Sequence, residues 1–149
     1  MNAGSMLLAA LGAMLAAIFA GSFAPRVWLG ATLAGLFATL AAAAGVLGGG
    51  EDWEWHSQFG IGGEALHLRL DGVSAFFLVL LCVAGGAASL YAGEYWTDAR
   101  HPRSAPSGRV WWSAMLLSLG FVLLSSNGLH FLIGWELLPN RPHYWKTLG

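Results

Sequence analysis

The sequence predicts an all-α membrane protein: four transmembrane helices, an incomplete fifth, and a small β-hairpin on the outer face between helices 2 and 3. Composition is the first reason. Of 149 residues, 56% are hydrophobic and only 10% are charged, against about 25% charged in an average soluble domain. The second is where charge is excluded: residues 1–25, 27–50, 72–93 and 110–135 hold no Asp, Glu, Lys or Arg. A bilayer core takes about 20 apolar residues as helix, so these runs are long enough to cross. The third is a bracket of aromatic residues, Trp28, Trp53, Trp55, Tyr91, Tyr95, Trp96, Trp111 and Trp112, placed as an interfacial belt would be. A soluble bundle would need polar faces recurring every 3.6 residues, and these runs are apolar all round.

The first helix covers about 5–24, GSMLLAALGAMLAAIFAGSFA in its wider context, and stops at Pro25-Arg26. A cleaved signal peptide would carry positive charge before its apolar run, whereas the first positive side chain here is Arg26. The second helix, about 27–47, dissolves in Gly48-Gly49-Gly50. In the connection that follows, EDWEWHSQFGIGGEALHLRLD, the alternation of LHLRL and the upstream GIGG predict a hairpin. Asp71 then opens the third helix, about 72–93, where a negative charge suits the helix N-terminus. The next connection, TDARHPRSAPSGR, has prolines and no apolar period and is expected to be an irregular loop. The fourth helix, about 110–125, ends at Ser125-Ser126-Asn127-Gly128. The fifth runs over 128–138 and rises only about 16 Å before Pro139, Arg141, Pro142 and Lys146. It reads as a helix begun and cut off, with 139–149 an anomalous tail of the kind a frameshift or premature stop produces.

Charge also predicts orientation. The first and third connections carry Arg26, Arg100, Arg103 and Arg109, while the second carries Arg69 among Glu51, Asp52, Glu54, Glu64 and Asp71. The positive-inside rule then puts the N-terminus and the acidic hairpin outside a cell (inner) membrane. A net charge of −1 gives no reason to expect nucleic acid as a partner; membrane lipid is the expected one. The single cysteine, Cys82, excludes an intrachain disulfide and a cysteine-based metal site. Gly85, Ser89 and Gly93, four residues apart, are placed for close helix approach.

Few residues qualify as a site. Glu136, in FLIGWELL, is an ionised side chain in an otherwise lipid-compatible run, and an ion at that depth costs roughly 2.5–3.5 kcal/mol on insertion scales. It either faces a protein interior or sits at the headgroup level near Trp135. His130 lies six residues before it, off its helical face, and reads as a packing or interface histidine. Asp71 reads first as a helix-terminal charge and second as a channel-mouth group. His56 and His67 show no regular metal-ligand spacing, and no metal is expected from them. There is no phosphate-binding loop.

LHLRLDGVSAFFLVLL, followed by SLYAGEYW and NGLHFLIGWELL, resembles the N-terminal part of the antiporter-like proton-translocating subunits. These occur in respiratory complex I, membrane-bound hydrogenases, formate hydrogenlyases and multisubunit sodium/proton antiporters. Ser74-Ala75-Phe76-Phe77 leans toward the hydrogenase branch. The resemblance covers about residues 5–138. It implies that Glu136 works with a lysine on a later helix: a carboxylate near an ammonium stays ionised, and takes up a proton when that charge leaves. No lysine precedes Glu136, and Lys146 lies in the tail. The chain also departs from the family pattern in having fewer helices and Pro139-Asn140-Arg141-Pro142 after Leu138. The expectation is therefore a truncated proton-translocating subunit of an NADH dehydrogenase- or hydrogenase-type complex. Other subunits of that complex would be its partners, and it would hold no cofactor of its own. The alternative is a small non-catalytic membrane protein acting through helix–helix contact at Gly85, Ser89 and Gly93, or a non-functional truncated product.

Overall fold

A computed structural model describes residues 2–61, 63–126 and 128–136, with the side chains of 61 and 128–130 outside the description. Its elements follow in chain order as α1 (Ala3–Ala20), α2 (Pro25–Leu47), β1 (Trp53–Ile61), β2 (Glu64–Leu70), α3 (Gly72–Tyr95), α4 (Ala105–Leu124) and α5 (Gly128–Glu136). The first four helices are each long and apolar enough to cross a membrane. Leu137, Leu138 and the tail 139–149 lie outside the described residues.

Local chemistry sets the helix ends. The Asn2 side chain accepts the Ser5 backbone N–H at 2.8 Å and caps α1. Pro25 occupies the first turn of α2, where its missing N–H has no bond to lose. The same rule corrects the expected start of α4. Pro106 lies in the first turn of a helix that begins at Ala105, so the segment expected as loop to Arg109 is helical for its last five residues. A proline there starts a helix as readily as it breaks one.

α2 lies between α1 and α3, α4 packs across α1 and α3, and α5 packs on α4. Small residues face inward: Ala10, Ala17 and Ala20 on α1, Ala42 and Ala43 on α2, Ala75 on α3 are nearly inaccessible. Large apolar side chains face outward, with Leu8 70%, Phe19 75% and Phe37 72% exposed. This inverts the pattern of a soluble bundle. It fits surroundings as apolar as the side chains themselves, where close backbone packing replaces the hydrophobic effect between helices. A Cβ on Gly85 would lie 2.9 Å from Leu116 Cδ2 of α4, and one on Gly93 would lie 3.2 Å from Leu29 Cδ2 of α2. Ser89 is fully buried. The expected stripe of small residues is thus occupied inside the chain.

Three of the aromatic residues assigned to the belt, Trp28, Trp53 and Trp112, pack in or against the core. Trp28 is 1% exposed and its indole N–H donates to Ser113 Oγ at 2.8 Å. Trp112 donates to Ser89 Oγ at 2.8 Å, and that hydroxyl donates on to the Gly85 carbonyl at 2.7 Å. Tyr91, Tyr95, Trp96 and Trp111 remain exposed, as a belt requires. Arg109, counted among the orientation charges, is also buried: its Nε donates to the Gly21 carbonyl at 2.8 Å and its Nη1 lies 2.8 Å from Asp98 Oδ1.

The hairpin forms as expected, between antiparallel β1 and β2. Gly63 holds φ of 90° at the turn, a conformation that favours glycine. The register runs from Trp53↔Leu70 through His56↔His67, shifts, and resumes at Gly60↔Ala65. At this bulge the Ser57 hydroxyl replaces ladder bonds, accepting the Leu66 N–H at 2.9 Å and donating to the Phe59 carbonyl. Leu70, fully buried, joins Ala42, Val46, Ala75 and Leu78, and the Ser126 N–H and Oγ both donate to the His67 carbonyl at 3.1 and 3.0 Å. The hairpin is therefore held to the end of the bundle shared by the N-terminus of α1 and the α4–α5 turn.

Candidate functional site

Glu136 is the last residue of α5, nine residues and about 14 Å long. α5 meets α4 through Gly134, which is buried; a Cβ there would fall 2.7 Å from Val122 Cγ2 and 2.9 Å from Phe121 Cδ1. Two residues on, a helix has turned through about 200°, so Glu136 projects away from α4 and is exposed. Among the described residues it has no ion pair. The structure thus places the expected carboxylate on the uncovered side of the last described helix. The side chain of His130 lies outside the described residues.

An apolar cleft of about 750 Å³ opens among α1, α2, α3, α4 and the hairpin, with Leu11, Met14, Leu78, Leu117 and Phe121 in its walls. Among the described residues its polar lining includes Asn2, Ser5 and Thr39 and no carboxylate, lysine or histidine. Glu136 is not among the described residues that line it.

The charged groups converge on the hairpin instead. Arg69 donates to Asp52 Oδ2 at 3.0 Å and lies 3.4 Å from Glu54 Oε1 and 3.7 Å from Asp71 Oδ2. The hydrogen bond to Asp52 raises the Arg69 pKa further. Alternation puts Glu54 and His56 on one face of β1, and the register sets His67 directly opposite His56, with ring centroids 3.8 Å apart. One ligand atom from each of Glu54, His56 and His67 lies within 4.8 Å of the others. Sequence spacing hid this convergence, since residues paired across a hairpin are separated by whatever the turn and bulge consume. A count outward from the Ile61↔Glu64 pair would set His56 opposite Arg69, and the bulge moves His67 into that place.

Asp71 performs the helix-terminal role expected of it. Its Oδ1 accepts the Ser74 N–H at 2.9 Å, and that bond, with help from Arg69, holds its carboxyl below the usual range. A lowered folded-state pKa gives stability that is present above the unfolded value of about 3.9 and is lost as pH falls through the folded value. Asp71→Asn keeps a capping oxygen without the titration. It is expected to match the wild type near neutrality less any charge contribution, and to lose less stability on acidification below about pH 4. Asp71→Ala is expected to cost about 1 kcal/mol at neutral pH. Thermal unfolding in detergent at both pH values checks this; identical acid sensitivity of the wild type and Asp71→Asn would refute it.

Neither a protein-family model nor a curated protein matches this sequence.

Proposed function

We propose that this chain is part of a proton-translocating membrane subunit of an NADH dehydrogenase- or hydrogenase-type complex, coupled to electron transfer in partner subunits. The observation that carries the proposal is the position of Glu136. A carboxylate on an apolar helix, turned away from the α4 helix that packs on it, calls for a partner group on whatever covers α5. The hairpin ahead of α3, Asp71 at its N-terminus and Trp135-Glu136 on α5 agree with the motif order of the antiporter-like subunits. In this reading the hairpin end faces outward, and the end bearing Arg26, Arg100 and Arg103 faces the cytoplasm across the cell (inner) membrane. Protons would pass by coupling the Glu136 carboxylate to a neighbouring ammonium. The alternative, an adhesive protein using Gly85, Ser89 and Gly93, is disfavoured because α2 and α4 already cover those residues.

The test is Glu136→Gln in the full chain, in its native membrane. Copurification with larger redox subunits is expected to persist, while proton translocation into inverted vesicles falls to a small fraction of the wild-type rate. Unchanged translocation, or no redox subunit in the complex, would overturn the proposal.

A further inference from the structure

We infer that Glu54, His56 and His67 form a binding site for one divalent transition-metal ion, zinc foremost, on the exposed face of the hairpin. The inference is independent of the transport reading and stands on four observations. The donors are two imidazoles and one carboxylate, a set suited to zinc that leaves a fourth position for water. They come from two strands, Glu54 and His56 on β1 and His67 opposite on β2, so an ion would tie the strands together. Their ligand atoms already lie within 4.8 Å of one another. Finally, His67 Nε2 is inaccessible to solvent and has no hydrogen-bond partner among the described residues.

Glu54 Oε2 lies 3.7 Å from that nitrogen. That distance is long for a hydrogen bond. It is close to the roughly 3.3 Å separating two ligands on a tetrahedral ion that each lie about 2.0–2.1 Å from it. A small closure of the gap would satisfy both. The other Glu54 oxygen is engaged by Arg69 at 3.4 Å, which orients the carboxylate. That guanidinium opposes a cation, but Asp52 and Asp71 also surround it, so the patch keeps an excess of negative charge that attracts one. The imidazoles stack 21° from parallel, so binding one ion requires both rings to rotate about their side-chain bonds until their nitrogens converge. The Ser126 bonds to the His67 carbonyl anchor the strand from behind.

The test is calorimetric titration of Zn2+ into the full chain in detergent, with an affinity tag that contains no histidines. The expected result is one equivalent bound with micromolar affinity. Each of His56→Asn, His67→Asn and Glu54→Gln should weaken binding at least about tenfold, the smallest loss seen even for groups one step removed from a metal. His101, stacked on Trp96 in the α3–α4 loop, gives the control: His101→Ala should bind as the wild type does. Zinc should also raise the thermal midpoint of the wild type and leave that of His56→Asn unchanged, provided circular dichroism shows both folded alike. No binding by the wild type, or equal binding by the wild type and a His56→Asn/His67→Asn double variant, would overturn the inference.

Discussion

Trp28→Ala is expected to destabilise the chain by about 3 kcal/mol, the lower end of the range for removing a buried tryptophan. The lower end applies because an unfolded helix in an apolar medium also keeps its side chains out of water, leaving lost packing as the main cost. Trp28 is wedged against Ala17 and Ala20 of α1 and reaches Ser113 of α4. Alanines cannot extend to fill the space it leaves. Trp28→Phe separates volume from polarity: most of the bulk remains and the N–H is gone, so the cost should fall to about 1 kcal/mol. Ser113→Ala strands the indole N–H instead. The double variant should therefore be milder than the two singles summed. Denaturant titration in mixed micelles measures all four proteins, and strict additivity would show that the 2.8 Å bond contributes nothing.

The second large effect concerns Arg109 and Asp98, and it runs against a simple count of lost bonds. Arg109→Met removes both the bond to Gly21 and the ion pair, yet it leaves behind only a carbonyl and a carboxylate that is 46% exposed. Its cost should be about 1–2 kcal/mol. Asp98→Ala removes one contact and leaves a guanidinium whose side chain is only 6% exposed without its counter-charge. Stranding a buried charge costs about 3 kcal/mol or more, so Asp98→Ala should be the more damaging change. A milder effect from Asp98→Ala would mean that Arg109 can swing out to water when released. The asymmetry is read from thermal midpoints in detergent, where the ranking matters more than either value.

The helices were legible because excluding charge from a run of residues leaves a signal that tertiary packing cannot hide. The hairpin was legible for a related reason: LHLRL alternates, and one face of it is buried at Leu70. Helix-end aromatic residues were harder, because outward-facing and core tryptophans occupy the same positions along a helix. Only Ser113 and Ser89, on other helices, distinguish Trp28 and Trp112 from Trp111. Arg109 was counted as an orientation charge for the same reason, its acceptor Gly21 lying 88 residues away. Glu136 was conspicuous as an ion among apolar neighbours. The hairpin ligand set was not, since its geometry arises from a bulge that the sequence marks only through Ser57 and Gly60.

The bond from Ser126 to the His67 carbonyl closes a loop of 59 residues, and that length fixes when it can form during synthesis. Both strands of the hairpin leave the ribosome well before α4 is complete, so they must pair, or wait unpaired, without this anchor. Contacts so distant in sequence close late. The Ser126 bond is thus the last tie added to a hairpin that Leu70 already fastens to α2 and α3.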